Sequence, residues 1–206
     1  MIWQGEDFPT LTEEQRISLE RLKEIYLFWN ERINVISRKD LDNFFIHHVL
    51  HSLAIAKVFS FQAHSTIMDL GCGGGFPGIP LAIYFPEVHF HLVDSIAKKI
   101  KVVDEVAKEL SLQNVSAEQI RAEDIRNQKF NGVISRAVAP LKDLWKWSAS
   151  LLLQKKEPYY GLICLKGGDL SREIHDVRKK VHQWEIHKKI FRDDWFENKY
   201  VLQVKG

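Results

Sequence analysis

Five glycines stand within ten residues of one short stretch, "DLGCGGGFPG", which runs from Asp69 to Gly78. The stretch follows a short apolar run and is followed by further apolar residues. A glycine cluster at a strand end either turns the chain or lets the backbone come close to a ligand. Pro77 is typical of the first turn of a helix, so the cluster is predicted to join a strand to a helix.

The spacing of these glycines is compatible with two classes of nucleotide site. Gly73, Gly75 and Gly78 satisfy the G-x-G-x-x-G spacing of dinucleotide sites. However, the predicted helix starts at Pro77, before the third of these glycines. Together with the acidic Asp69 ahead of the first glycine, this arrangement favours the loop of an S-adenosylmethionine methyltransferase. A turn without a ligand is the alternative.

Acidic residues also stand where the next two predicted strands end. The stretch "VHFHLVD" (88–94) ends in Asp94, whose carboxylate would accept hydrogen bonds from ribose hydroxyls. After the third predicted strand, "RAED" places Ala122 and Glu123 where a backbone amide and an acid could flank an adenine ring. An ordinary acidic loop is the alternative for this second stretch.

Arg136 interrupts an otherwise apolar strand, "VISRAVAP". A buried arginine is costly unless it is paired or lies at the end of its strand. A structural ion pair with an acid such as Asp69 is one explanation, and a place in a cofactor site is the other.

Strands and helices are predicted to alternate around these residues. Strands are predicted over 66–70, 88–94, 114–120, 132–138 and 159–167. Helices are predicted over 77–84, 96–110 and 141–153, with a further helix opened by Asp169. This alternation predicts an α/β protein with a parallel, doubly wound sheet, in which ligands bind at the carboxyl ends of the strands.

The two ends of the chain depart from this alternation. Helices are predicted over 10–32, with a capping box at Thr12 and Gln15, and over 41–59. The stretches "WEIHKKIF" (184–191) and "KYVLQVK" (199–205) are predicted to form a final hairpin that gives the sheet an antiparallel edge. We therefore expect an N-terminal helical extension over 1–62 and a Rossmann-like domain over 63–206.

Composition limits the class of protein but does not identify its function. The chain has 206 residues, a hydrophobic fraction of 45% and a net charge of +2, so charge alone does not indicate a nucleic-acid-binding protein. Its two cysteines are far apart, which predicts reduced thiols. Neither an apolar stretch of membrane-spanning length nor a signal peptide is recognised, so we expect a cytoplasmic protein.

Several stretches together resemble the glucose-inhibited division protein B family, also called RsmG. They are "HHVLHSL" (47–53), "IMDLGCGGGFPGIPLAI" (67–83), "LVDSIAKKIKVV" (92–103), "NGVISRAVAPL" (131–141) and "ICLKGG" (163–168). The resemblance implies a class I methyltransferase fold, S-adenosylmethionine as cofactor and N7 of a guanine in bacterial 16S ribosomal RNA as acceptor. The partner would be that RNA or the small ribosomal subunit, and we expect a monomer.

The resemblance also implies roles for individual residues. The cofactor-binding residues would be Gly71, Gly73, Gly75, Phe76, Asp94, Ala122, Glu123 and Arg136. The RNA-binding residues would be Lys98, Lys99, Lys101, Lys166, Lys199 and His47. The sequence departs from the family at His51, where an acid is usual, and at Lys199, where an arginine is usual. Lysine keeps the positive charge of arginine but cannot donate the two parallel hydrogen bonds of a guanidinium group.

Three of these lysines crowd the start of the helix predicted over 96–110, which Ser95 could cap. Positive charge is unfavourable at a helix N-terminus, so Lys98, Lys99 and Lys101 either hold RNA phosphates or form a solvated face. The predicted apolar face of the helix comprises Ile96, Ile100, Val103, Ala107 and Leu110. Lys166 would hold a phosphate or the guanine carbonyl, or remain solvated.

No catalytic base is expected for this chemistry. Guanine N7 already holds an in-plane lone pair, so orientation of donor and acceptor should dominate, and no residue is assigned as catalytic. His47 and His51 share a helical face, but a third metal ligand of suitable spacing is missing, so no metal is expected. The rival functions are a methyltransferase for a protein or small molecule and a non-catalytic nucleotide-binding module.

Overall fold

A computed structural model of the chain describes residues 8, 10–136, 138–153, 158, 160–187 and 189–205. Within these residues the strands are β1 (Thr66–Leu70), β2 (His89–Asp94), β3 (Val115–Gln119), β4 (Gly132–Arg136), β5 (Gly161–Gly167), β6 (Lys180–Glu185) and β7 (Lys199–Lys205). They form one sheet in the order β3-β2-β1-β4-β5-β7-β6.

The first five strands are parallel, as predicted. Asp69 of β1 lies opposite Leu92 of β2 on one side and Ile134 of β4 on the other. The central strands β1, β4 and β5 are short, mostly apolar runs because they are covered on both faces, whereas the edge strand β3 is more polar and less buried. Their carboxyl ends therefore meet at one edge of the sheet, where the glycine cluster follows β1.

The antiparallel hairpin is confirmed, but its first strand is not the one predicted. β7 pairs antiparallel with both β5 and β6, and β6 covers 180–185 rather than 184–191. Ile186 and Phe191 are buried anchors of the connection between the two strands. Their burial produces an apolar pattern that imitates a strand.

The helices are α1 (Glu13–Asn30), α2 (Arg38–Leu41), α3 (His51–Val58), α4 (Gly78–Tyr84), α5 (Ala97–Glu109), α6 (Leu141–Ser148) and α7 (Ser171–Val177). The capping box of α1 is present, with Thr12 and Gln15 bonding each other's backbone amides. The helix predicted over 41–59 begins too early, because α2 ends at Leu41 and a turn follows at residues 42–43, after which a π-helical segment (Phe45–Leu50) continues directly into α3. The helix predicted over 141–153 is also too long, since a 3₁₀ turn (Ala149–Leu151) follows α6.

Side chains alternate between the two faces of β1 and bury two apolar cores. Ile67 packs into a core shared with α1, α3, α4 and α5, whereas Met68 packs into a core shared with α6 and α7. The first core includes Leu19 and Tyr26 of the N-terminal extension, so the described extension packs on the sheet. Among the described helices, none combines the length and apolarity needed to cross a membrane.

Candidate active site

The glycine cluster turns the chain at the carboxyl end of β1. Gly71, Gly73 and Gly75 have φ angles of +69°, +58° and +99°, which L side chains rarely adopt. A Cβ at Gly71 would lie 2.6 Å from Cγ2 of Val138. A Cβ at Gly73 would meet no described atom within 4 Å, so the backbone there borders open space.

Asp94 connects this loop to the start of α5. Its buried carboxylate accepts hydrogen bonds from the Gly73 amide through Oδ2 (3.0 Å) and from the Ile96 amide through Oδ1 (2.9 Å). The Lys99 ammonium lies 3.4 Å from Oδ2. The cap predicted for Ser95 is therefore wrong, because the Asp94 carboxylate reaches the Ile96 amide instead.

Ile96 does not belong to the apolar face of α5, contrary to the prediction. It is the extended N-cap residue, outside the helical turn, and its side chain is 48% exposed. The buried face of the helix comprises Ile100, Val102, Val103 and Val106. An apolar residue two positions after Asp94 is therefore exposed, although it lines neither of the two cavities described below.

A cavity of about 270 Å³ opens beside Asp94. We call it the glycine-loop cavity, and its lining residues are Leu70, Gly71, Val93, Asp94, Ser95, Ile120, Arg121, Ala122, Glu123, Val138 and Trp147. Four of the residues predicted to bind cofactor, from three separate loops, meet here. The lining combines apolar side chains with one buried carboxylate, as a site for a nucleoside requires.

Asp69 lies buried beneath the same loop. Its Oδ2 accepts a hydrogen bond from the Gly78 amide at 2.8 Å, while Oδ1 has no partner among the described residues. Burial raises the pKa of Asp69 to about 7, against the lowering effect of the Gly78 amide and of Arg136. The described ion pairs do not include one between Asp69 and Arg136.

Arg136 instead joins β4 to the π-helical segment. Nη1 donates to the carbonyl of His47 at 3.1 Å, and Nη2 donates to Nδ1 of His48 at 3.0 Å. Its guanidinium carbon lies 5.1 Å from the centre of the Phe76 ring. Burial and Arg136 together lower the pKa of His48 to about 3, so this imidazole is neutral and accepts the hydrogen bond.

A second cavity, of about 500 Å³, lies at the same edge of the sheet. We call it the cationic cavity, and its lining residues are Asp40, His47, His48, His51, Arg136, Leu165, Lys166, Gly167, Glu173, Trp195 and Lys199. Four predicted site residues meet here: Arg136 from the cofactor set, and Lys166, Lys199 and His47 from the RNA set. Lys98 and Lys101 are exposed on α5, outside both linings.

Trp195 and Glu173 are members of the cationic cavity that sequence reasoning missed. The Trp195 ring stacks on His47 with centres 4.1 Å apart, and the Lys199 ammonium lies 3.8 Å from the centre of the same ring. Glu173 pairs with Lys166 at 3.0 Å. A tryptophan inside the acidic stretch "RDDWFENK" was the available signal for the first, whereas Glu173 resembles any exposed helical acid.

His47, His48 and His51 do not form a metal-binding group. His47 bonds Asp40, His48 accepts from Arg136, and His51 packs against the rings of Trp195 and Phe196. In the described part of the chain, three potential ligands do approach within 4.8 Å of one another, namely His187, Asp194 and Glu197. Both carboxylates of that group belong to exposed residues, and none of the three lines either cavity.

A sheet in this order, with a glycine loop after β1 and an acid after β2, defines a class I S-adenosylmethionine-dependent methyltransferase. The fold is similar to magnesium protoporphyrin IX methyltransferase (ChlM) from Synechocystis PCC 6803 with bound SAM, with a TM-score of 0.58, 14% identity and coverage of 96% of this chain and 99% of that one. It is also similar to a mutant of MtNAS in complex with S-adenosylmethionine, with a TM-score of 0.59, 12% identity and coverage of 93% and 76%. The chain belongs to the GidB family, rRNA small subunit methyltransferase G, whose family model matches residues 15–193.

Relatives named ribosomal RNA small subunit methyltransferase G are similar over nearly their whole length. The protein from Phocaeicola vulgatus is 51% identical over 199 residues, covering 96% of this chain and 94% of the relative. The protein from Flavobacterium psychrophilum is 49% identical over 199 residues, with coverage of 96% and 94%. The resemblance seen in the sequence is therefore confirmed.

Proposed function

We propose that the chain transfers a methyl group from S-adenosylmethionine to N7 of a guanine in 16S ribosomal RNA. The observation that carries the proposal is the pairing of two cavities at one sheet edge. One follows the glycine loop of a methyltransferase fold, and the other gathers Arg136, Lys166 and Lys199. Family membership supports ribosomal RNA as the substrate class.

The glycine-loop cavity fits S-adenosylmethionine together with Gly73 and Asp69, which stand next to it in the chain without lining it. The space beside Gly73 is open, and the buried Oδ1 of Asp69 lacks a partner among the described residues. In our proposal Gly71, Gly73 and Gly75, with Phe76, border the amino-acid part of the cofactor. Asp94 accepts from the ribose hydroxyls, since each carboxylate oxygen can accept more than one hydrogen bond. Ala122 and Glu123 flank the adenine.

Arg136 is proposed to serve both cavities. It lines the cationic cavity, and its guanidinium also lies over Phe76 of the glycine loop. Burial lowers the pKa of Arg136 to about 10, so the group stays charged at neutral pH. Its two hydrogen bonds to the π-helical segment hold β4 against His47 and His48, which line the cationic cavity.

The reaction then depends on positioning. S-adenosylmethionine supplies, when bound, an electrophilic methyl group on a sulfonium sulfur. The cationic cavity holds the guanine in place through Lys166, Lys199 and His47, and Lys98 with Lys101 hold phosphates nearby. N7 has no proton to lose, so the proposed reaction needs no base, and the Nδ1 lone pair of the neutral His48 is already occupied by the Arg136 guanidinium.

Transfer of a radiolabelled methyl group tests this function. Purified chain is incubated with labelled S-adenosylmethionine and either small ribosomal subunits or their naked RNA. Digestion to nucleosides and mass spectrometry should identify 7-methylguanosine as the product.

The rate of the chemical step should change little between about pH 6.5 and 8.5, because a working base would show its pKa there. Methyl on another atom would contradict the reaction, and label in protein or small molecules would favour the rival methyltransferase.

The chain is further proposed to act as a monomer in the cytoplasm on this RNA or on the assembled subunit. Comparing naked RNA with subunits in the same assay distinguishes the two substrates. Light scattering of the purified chain measures its oligomeric state, and a mass near twice 24.0 kDa would contradict the monomer.

A further inference from the structure

Glu173 is one of two carboxylates that line the cationic cavity. Its Oε2 accepts from the Leu141 amide at 2.9 Å and pairs with the Lys166 ammonium at 3.0 Å, while its Oε1 has no hydrogen-bond partner among the described residues. The cavity's other carboxylate, Asp40, uses one oxygen on His47 and the other on Ser37. Glu173 is therefore the lining carboxylate with an oxygen left for a ligand.

Such an acceptor strengthens the selection of guanine. Adenine also carries an N7 with a lone pair, so N7 alone cannot distinguish the two purines. The two purines differ at position 6, next to N7, and along the Watson–Crick edge that continues from it. Guanine presents the O6 acceptor beside the N1–H and 2-amino donors, whereas adenine presents a 6-amino donor beside the N1 acceptor. A site that reads this edge needs a donor and an acceptor side by side.

Lys166 and Glu173 form such a pair. The Lys166 ammonium has three donors, of which one reaches the Ala139 carbonyl and one reaches Glu173, so a third is left for a ligand. We infer that Lys166 donates to guanine O6 and that Glu173 Oε1 accepts from N1–H and the 2-amino group. The inference rests on the proposed function, because it presumes guanine as the acceptor base.

The pair is held in place before any base arrives. The Leu141 amide opens α6, and Glu173 lies on α7, so one hydrogen bond fixes the carboxylate between two helices. The Glu173 side chain is 31% exposed and the Lys166 side chain 9% exposed. A donor–acceptor pair fixed by its surroundings discriminates more strongly than a mobile one, because the wrong base leaves buried polar groups unpaired.

Base analogues in the substrate test the inference. Small subunits are rebuilt from 16S RNA carrying guanine, inosine or adenine at the position mapped by mass spectrometry. Inosine lacks only the 2-amino group, so the wild-type chain should lose about tenfold in kcat/KM on inosine subunits. Glu173→Gln should lose about tenfold or more on guanine subunits and show less than about a threefold further loss on inosine. Asp176→Asn, an exposed acid on the same helix, should behave as wild type.

Other results would contradict either the role of Glu173 or the proposed function. If Glu173→Gln keeps the full tenfold inosine penalty, or if wild type shows no penalty, Glu173 does not read the base and the inference is wrong. The wild-type measurement needs no variant, so a missing inosine penalty overturns the inference even if Glu173→Gln fails to bind S-adenosylmethionine in calorimetry. In that case Glu173→Asp, which keeps the carboxylate but withdraws it by one methylene, replaces Glu173→Gln in the comparison of guanine with inosine. If wild type leaves guanine subunits unmethylated, the proposed function itself fails.

Discussion

The open space beside Gly73 allows a steric test of the cofactor site with a matched control. Gly73 and Gly168 both have positive φ angles, +58° and +86°, and a Cβ at either would meet no described atom within 4 Å. Changing either to alanine should therefore cost only backbone strain, about 1–2 kcal/mol. For a chain of this size that corresponds to a fall in Tm of roughly 2–8 °C.

Of these two glycines, Gly73 borders the proposed cofactor and Gly168 does not. In Gly73→Ala the added methyl group occupies space intended for ligand. Relief of that contact would move the loop away from Asp94 and weaken the 3.0 Å hydrogen bond from the Gly73 amide. A hydrogen bond to a charged group contributes about 1.5–3 kcal/mol, so affinity for S-adenosylmethionine should fall about tenfold to a hundredfold.

Calorimetric titration with S-adenosylmethionine measures the difference directly. Gly168→Ala should keep wild-type affinity while showing a similar loss of Tm, which separates strain from steric exclusion. If folded Gly73→Ala binds S-adenosylmethionine as tightly as wild type does, the cofactor does not lie against this loop and the proposed site is refuted.

Three further predictions concern charged groups. Asp94→Ala should bind S-adenosylmethionine at least tenfold more weakly in calorimetry, about 1.4 kcal/mol, whereas Asp104→Asn on the exposed face of α5 should not. Native Asp69, with its pKa near 7, keeps its proton where the unfolded chain has lost it, so its contribution to stability falls as pH rises from about 4 to 7. Asp69→Asn should therefore gain stability relative to wild type over that range in urea unfolding, by at most about 4 kcal/mol. Lys98→Ala with Lys101→Ala should reduce the salt dependence of subunit binding in a filter assay by up to about two units of slope.

Each of these has a contradicting result. If folded Asp94→Ala binds S-adenosylmethionine as tightly as wild type, Asp94 does not accept from the ribose hydroxyls. If the difference in stability between Asp69→Asn and wild type does not change with pH, the pKa of Asp69 is not raised. The lysine pair leaves Lys99 in place, because its ammonium lies 3.4 Å from Asp94 and its loss would disturb the cofactor site as well. If subunit binding survives the double change, Lys98 and Lys101 are only a solvated surface.

Local patterns made the parallel sheet predictable, together with four of the residues that line the glycine-loop cavity, namely Gly71, Asp94, Ala122 and Glu123. A buried strand, its glycines and the acid after β2 follow from residue type and spacing, and the strand ends then converge by topology. Asp94 was predictable for this reason. Its bond to the Ile96 amide was not, since Ser95 is an equally good cap by sequence and only geometry shows which oxygen reaches the amide.

The cationic cavity was predictable only in part. Lys166 and Arg136 stand at strand ends and could be found, but Trp195 and Glu173 arrive from distant segments whose placement depends on tertiary packing. The exposed Ile96 and the break of the second helix share this cause. Helical periodicity predicts a face and cannot show where a helix begins or changes its winding.

The strand order also has a consequence for how the protein is made. β7 lies between β5 and β6, although it follows both in the chain. During synthesis β5 therefore presents an open edge, and β6 lacks its neighbour, until residues 199–205 have left the ribosome. Unpaired strand edges promote association between chains. Because Lys199 begins β7, the cationic cavity lacks this lysine until β7 has joined the sheet between β5 and β6.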